Sequence, residues 1–169
     1  MGFGATATDF PTQNGPIAVV RSIAAMHDGR CTEPQGLPPL PPPLQSAGAA
    51  DVLRRMCVAA NKDPAAKADA RKAIHQMLGK LDPKDAAAFW FILAPGLVDL
   101  GDIDTAYGLI DRVPQFGLNL SLFWSAQFRP FRRDPRFQTV VQRINLTEFW
   151  KQYGPPDDCE LRDRALSCH

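Results

Sequence analysis

The stretch from Leu118 to Cys159 decides the fold of this chain and reads LNLSLFWSAQFRPFRRDPRFQTVVQRINLTEFWKQYGPPDDC. Its apolar residues recur at i, i+3, i+4 and i+7, first in the group Phe137, Val140, Val141 and Ile144. The same spacing returns in a second group, Leu146, Phe149, Trp150 and Tyr153. Because this period places each group on one face of an α-helix, the stretch predicts two short helices whose apolar faces point toward a core.

Asp-Pro pairs predict where helices begin. They occur at Asp63-Pro64, Asp82-Pro83 and Asp134-Pro135. The aspartate accepts hydrogen bonds from the free N–H groups of a first helical turn, and proline fits the first helical position because its missing donor is not needed there. Asn145 and Glu148 have the spacing of a capping box before the last predicted helix.

Upstream of this stretch, apolar stripes predict further helices and an all-α fold. One short helix is predicted from Pro16, and longer ones over Ser46 to Ala60, from Pro64 to about Lys80, and from Pro83. Pro95 is expected to kink or end the helix that begins at Pro83. Asp102 is expected to cap a further helix that ends near Val113.

A proline-rich run, EPQGLPPLPPPL, ends at Leu44 and predicts polyproline II rather than helix. It has two interpretations: a ligand for an SH3-like or WW-like groove, or a stiff connector whose Leu37, Leu40 and Leu44 touch the domain. The lack of a flanking basic residue favours the connector. The sequence therefore predicts an extended segment over residues 1–45, a helical domain over 46–159 and a polar tail over 160–169.

The residues that usually carry catalysis or bind metal form no recognisable constellation. The four cysteines lack C-x-x-C spacing and the three histidines are scattered, which argues against a zinc site. A glycine-rich phosphate loop and a nucleophile elbow are also missing from the sequence. We therefore expect no enzyme activity, no cofactor and no metal. His75 borders an apolar stripe and is expected to be a satisfied or solvent-edge residue, since the sequence shows no partner for metal binding or acid–base chemistry near it.

Different roles are expected for different cysteines. Cys57 lies on an apolar helical face and is expected to be a core residue. Cys159 and Cys168 close a short loop, which makes them candidates for a disulfide in an oxidising compartment.

Charge and hydropathy exclude several classes of partner. Lys plus Arg number 19 and Asp plus Glu 18, so no nucleic-acid partner is expected. The longest apolar run, Ala86 to Leu100, is broken by Pro95 and is too short to span a membrane. The first residues lack the pattern of a secretory signal, which favours the cytoplasm.

Two groups of residues are candidates for partner binding. The first is a basic cluster of four residues, Arg129, Arg132, Arg133 and Arg136. It is interpreted either as a site for an anionic partner or as arginines paired with Asp134 and helix C-termini, and the pairing is favoured. The second comprises Trp90 and Trp124, which with Phe89 and Phe123 would line an apolar ligand pocket or simply fill the core.

Two segments carry a resemblance to a known family. LVDLGDIDTAYGLIDRV, residues 97–113, is similar to a tetratricopeptide-repeat unit, with a Gly-Asp turn between two helices. The C-terminal stretch carries Arg132-Arg133-Asp134-Pro135-Arg136-Phe137, then Trp150, and then Pro156-Asp157-Asp158-Cys159. It resembles the end of the repeat region in bacterial signalling and regulatory proteins that carry a winged-helix or adenylate cyclase domain. The resemblance covers about Asp85 to Cys168, and another all-helical bundle would fit the same periodicity.

The resemblance implies antiparallel helical hairpins closed by a C-terminal helical cap. It implies a non-catalytic protein–protein interaction module or adaptor in bacterial signalling or regulation, with a protein partner. A structural subunit of a larger assembly and a helical small-ligand sensor remain as alternatives. Some relatives lie in the periplasm, so that compartment stays open if the chain is part of an anchored protein. The sequence leaves the oligomeric state open.

Overall fold

A computed structural model describes Leu40 and residues 42–60, 64–114, 120–162 and 165–168. The helix predicted from Pro16, the first part of the proline-rich run and the cap predicted at Asp63 lie outside the described residues. The described helices are α1 (Pro42–Ser46), α2 (Ala49–Ala60), α3 (Pro64–Leu78), α4 (Pro83–Ala88), α5 (Trp90–Asp99), α6 (Ile103–Ile110), α7 (Leu120–Phe123), α8 (Arg129–Arg133), α9 (Phe137–Arg143) and α10 (Leu146–Tyr153). A 3-10 turn covers Ala126–Phe128, and two strands, β1 (Cys159–Arg162) and β2 (Ala165–Cys168), end the chain's described part. The chain is thus mainly α-helical, as predicted.

Two pairs of helices, α2 with α3 and α5 with α6, have the most extensive contacts between elements. Helix α5 also packs on α2, so the two pairs share one core. The predicted faces of these helices are buried, including Ala70, Ile74 and Met77 of α3. Among the described helices, none combines the length and hydropathy needed to cross a membrane.

An aromatic cluster forms the centre of the C-terminal half. Phe123 lies at its middle, with ring centroids 5.7 Å from Trp90, 5.8 Å from Phe131 and 5.7 Å from Phe137. Phe123 is fully buried and Trp90 is 1% exposed. These rings fill the space that a ligand pocket between them would need, so they are core residues rather than the walls of a cavity.

The first described helix begins earlier than predicted. Pro42 to Ser46 is helical, although the sequence analysis placed residues up to 45 in an extended segment. Prolines are tolerated in a first helical turn because the N–H groups there have no helical acceptor. The chain then breaks at Gly48, whose φ of +81° favours glycine, so Ser46 to Ala60 is not one helix. Leu40 and Leu44 are buried, as the connector interpretation predicts.

The helix predicted from Pro83 is interrupted at Phe89 and not at Pro95. Asp82 caps α4 as predicted, because its Oδ1 accepts a hydrogen bond from the Lys84 N–H at 2.8 Å. Pro95 lies inside α5, which continues to Asp99. The Pro95 carbonyl accepts a hydrogen bond from the Gln127 side chain at 3.0 Å, so the neighbouring 3-10 turn supports this part of the helix.

Asp102 joins α5 to α6. Its backbone N–H donates to the Leu97 carbonyl at 2.8 Å, and Gly101, with φ of +75°, donates to the Val98 carbonyl at 3.0 Å. These two bonds close the C-terminus of α5 as a Schellman motif. The Asp102 carboxylate then accepts from the Thr105 N–H at 3.3 Å, which confirms the predicted cap of α6.

The predicted polar tail is instead an antiparallel β-hairpin. Strand β1 pairs with β2 in a register that places Cys159 opposite Cys168, and the two form a disulfide. The bond joins the two cysteines that the sequence analysis named as candidates, and the tail is structured. The capping box predicted at Asn145 is wrong, because Asn145 adopts a left-handed conformation with φ of 59° and its side chain makes no cap hydrogen bond.

Candidate functional site

An open cleft of about 360 Å³ lies where the end of α3, the start of α4 and one side of α6 meet. Its apolar walls are five side chains, Leu78, Leu81, Pro83, Ala86 and Leu109. Three polar side chains share the lining, His75, Thr105 and Arg112. The cleft thus combines an apolar surface with a few polar groups, which is the usual composition of a binding site.

The polar side of the cleft is organised by Asp102. Its Oδ2 lies 2.6 Å from the Nε2 of His75, which is 27 residues earlier in the chain. Its Oδ1 accepts the hydrogen bond that caps α6. Burial raises the pKa of Asp102, but the hydrogen bonds from Thr105 and His75 outweigh it and hold this pKa below 3.8. His75 is therefore a satisfied residue at a solvent edge, and its partner Asp102 is one that the sequence did not reveal.

The geometry around His75 does not match that of a nucleophile activated by a general base. The Thr105 hydroxyl lies 3.5 Å from Nε2, the same nitrogen that contacts Asp102. In a Ser-His-Asp triad the nucleophile and the orienting carboxylate use different ring nitrogens. Within the described part of the chain, His, Cys, Asp and Glu side chains also form no group of three or more that could hold a metal ion. The arrangement instead fixes the ring at the rim of the cleft.

Two glycines widen the cleft, Gly79 and Gly108. A Cβ at Gly108 would meet no atom within 4 Å, so the space beside α6 is open to a larger side chain. This residue lies inside α6, where glycine is a poor helix former. Neither glycine was singled out from the sequence, because a small residue in a helix has several possible causes.

The four arginines of the predicted basic cluster have different environments. Arg132 is 6% exposed and donates to the Phe123 carbonyl at 2.5 Å and the Ser125 carbonyl at 2.9 Å. It also pairs with Asp158, and its guanidinium lies 5.5 Å from the centroid of the Trp124 ring. Arg132 is thus paired within the fold, in line with the favoured alternative, and a partner cannot reach it in this conformation. Its hydrogen bonds instead fix the segment between α7 and α8.

Arg136 is exposed but already paired. Its Nη2 lies 2.7 Å from Asp134 and its Nη1 2.8 Å from Asp104, while the guanidinium stacks 4.4 Å from the centroid of the Tyr107 ring. The pairing with Asp134 is the alternative that the sequence analysis favoured. Arg129 and Arg133 are exposed. The four residues therefore do not present one continuous basic surface.

The two tryptophans named as candidates for partner binding are both at least partly buried. Trp90 is buried in the aromatic core. Trp124 is partly buried, with its ring centroid 6.0 Å from Phe137 and 5.6 Å from Trp150. Burial excludes Trp90 from partner contact in this conformation and leaves only part of Trp124 accessible.

An exposed aromatic pair lies on α10. Phe149 is 53% and Tyr153 is 66% exposed, and their ring centroids are 4.6 Å apart. The sequence analysis placed both on the buried face with Trp150, but only Trp150, at 6% exposure, packs into the core. This eight-residue helix buries a narrower face than its apolar spacing predicts.

No protein-family model, curated protein or solved structure matches the chain.

Proposed function

We propose that this chain is a non-catalytic protein–protein interaction module with a tetratricopeptide-like helical arrangement, and that it acts as an adaptor in bacterial signalling or regulation. The observation that carries the proposal is the cleft between α3, α4 and α6, lined by Leu78, Leu81 and Leu109 and bordered by Arg112. The helix pairs α2–α3 and α5–α6 support it, because α3 of one pair and α6 of the other both line this cleft.

The cleft favours a short peptide segment over a complete partner helix. Its volume of about 360 Å³ is at the lower end of the range for ligand sites and suits one or two side chains. Apolar walls favour a leucine-like or aromatic side chain, and Arg112 favours a carboxylate beside it. The expected ligand is therefore a peptide with an acidic residue next to a large apolar one.

Gly108→Leu provides a way to fill this cleft without disturbing the core. The Cβ at this position meets no atom within 4 Å, and leucine is a better helix former than glycine. Peptides would be selected on the immobilised wild-type protein from a phage-displayed random library, and their affinities measured by fluorescence polarisation. We expect Gly108→Leu to weaken the selected peptides by about tenfold or more, which corresponds to about 1.4 kcal/mol.

Ala68→Leu is the matched control because it adds a leucine at an exposed position of α3 outside the cleft lining. It should leave peptide affinity unchanged. Arg112→Ala should weaken the acidic peptides and reduce the effect of salt on their affinity. Selected peptides that bind wild type and Gly108→Leu equally well would show that the cleft is not the binding surface.

A structural subunit is a second candidate, favoured by the exposed Phe149–Tyr153 pair. Large aromatic side chains exposed beside each other are typical of surfaces that contact another protein. If these rings join copies of the chain, light scattering after size exclusion should give an oligomer for wild type and a monomer for a Phe149→Ser/Tyr153→Ser variant. A wild-type monomer at all concentrations would exclude self-assembly through this pair.

A further inference from the structure

We infer that this chain acts in an oxidising compartment, where the Cys159–Cys168 bond closes the C-terminal β-hairpin and keeps it docked on the helical core. The inference rests on the cysteines. Cys159 and Cys168 are joined, Cys57 is also disulfide-bonded, and no described cysteine is a free thiol. Disulfides of this structural kind persist in oxidising compartments and are rare in the reducing cytosol.

Cys57 shows that disulfide bonding is not confined to the C-terminal hairpin. The sequence analysis interpreted Cys57 as a core residue, and its burial agrees with that interpretation. It is also disulfide-bonded. Cytosolic proteins usually keep their buried cysteines as free thiols, whereas every described cysteine of this chain is disulfide-bonded.

The hairpin is held to the helices by contacts beyond the disulfide. The backbone N–H of Leu166 donates to the Gln138 side chain of α9 at 2.6 Å. Asp158, next to Cys159, pairs with the buried Arg132 of α8. Leu161, Leu166 and Cys168 pack against the core. Isolated two-stranded hairpins are marginal in water, so these contacts and the cross-strand bond stabilise each other.

Formation of this bond needs a two-electron oxidant, and a thiol–disulfide oxidoreductase is the class that supplies one in such a compartment. The two thiols of Cys159 and Cys168 lose two protons and two electrons as the S–S bond forms. The oxidoreductase supplies a disulfide, which takes up the two electrons and two protons and becomes a dithiol. The transfer passes through a mixed disulfide that the second thiolate resolves.

The redox state would be tested on the protein as it exists in its source cells. Cells are lysed in acid, free thiols are alkylated with iodoacetamide without reductant, and the digest is examined by mass spectrometry. We expect the peptides of Cys159 and Cys168 to be joined and unalkylated. Alkylation of Cys159 and Cys168 in most molecules would overturn the inference.

The locking role is tested separately with a Cys159→Ser/Cys168→Ser variant that keeps the Cys57 disulfide. Compared with oxidised wild type, we expect the melting temperature to fall by about 5–10 °C. The Leu166 amide should also exchange with solvent at least tenfold faster, because its hydrogen bond to Gln138 depends on the docked hairpin. An unchanged exchange rate at Leu166 would show that the disulfide does not lock the hairpin. Neither experiment involves the cleft. The outcomes of both are therefore independent of the proposed interaction function.

Discussion

Gly108 and Gly101 are seven residues apart in the chain but have opposite conformational requirements. Gly108 is inside α6 with no atom within 4 Å of a Cβ, whereas Gly101 has φ of +75°. We expect Gly108→Ala to raise the free energy of unfolding by about 0.5–1 kcal/mol through helix propensity. Gly101→Ala should lower it by about 1 kcal/mol because an L side chain disfavours that φ. Urea unfolding of both variants measures the two changes, and equal signs would contradict the argument.

Arg132 is expected to be the most sensitive arginine of the basic cluster. Arg132→Ala removes hydrogen bonds to two carbonyls and leaves Asp158 without this partner, so we expect a loss of about 3 kcal/mol. The neighbouring Arg133 is exposed, and Arg133→Ala should change stability by less than about 0.5 kcal/mol. Similar losses for both variants in urea unfolding would show that the burial of Arg132 has no energetic consequence.

Asp102 gives the stability a defined pH dependence. Its pKa in the folded state lies below 3.8, so its ionised form stabilises the fold at pH values above its unfolded pKa. That contribution is lost as the pH falls through the folded pKa. We expect wild type to exceed Asp102→Asn in free energy of unfolding near neutral pH, with the difference shrinking below pH 3.8. Urea titrations at several pH values measure this difference, and a constant one would contradict the assignment.

At the scale of the element, α10 divides its apolar residues between two environments. Trp150 is buried while Phe149 and Tyr153 are exposed. Trp150→Ala should therefore cost about 3–5 kcal/mol, whereas Phe149→Ser should change stability by less than about 0.5 kcal/mol. Thermal and urea unfolding of the two variants test this division of the helix. A large loss for Phe149→Ser would mean that its ring packs against the core.

The helix caps and buried faces that were predicted correctly depend on residues close to each other in the sequence. Asp82 and Asp102 cap helices through residues two or three positions away, and Phe137, Val140 and Val141 share one buried helix face. The break at Phe89 was missed because alanines and aromatics run through it without a punctuating residue. Pro95 was misjudged because Gln127, far along the chain, supports the helix at that point.

At the scale of the whole molecule, the aromatic core couples the two halves of the chain. Phe123 contacts Trp90 of α5, Phe131 of α8 and Phe137 of α9. Phe123→Ala should cost about 3–5 kcal/mol because it leaves a cavity among rings that cannot close on it. If the two halves share this core, the Phe123→Ala variant should still unfold in one transition. Tryptophan fluorescence and far-UV circular dichroism should then give coincident unfolding curves. Separate transitions would show that the halves unfold independently.

The candidate cleft could not be predicted because its parts are distant in sequence. His75 and Asp102 each had a local explanation, a helix edge and a helix cap, and their contact depends on how α3 packs beside α6. The disulfide was predictable because Cys159 and Cys168 are close in sequence, while the hairpin around it was not. Its four-residue strands are too short for a clear alternating pattern.

The position of the Cys159–Cys168 bond also suits this hairpin to protein engineering. The bond lies at the open end of the hairpin, and the connection between Arg162 and Ala165 lies at the other. Extra residues inserted in that connection would extend a ring whose far end is covalently closed, and lengthening such a loop costs little free energy. We therefore expect a fluorescent or affinity tag inserted between Arg162 and Ala165 to leave the described helices and strands in place.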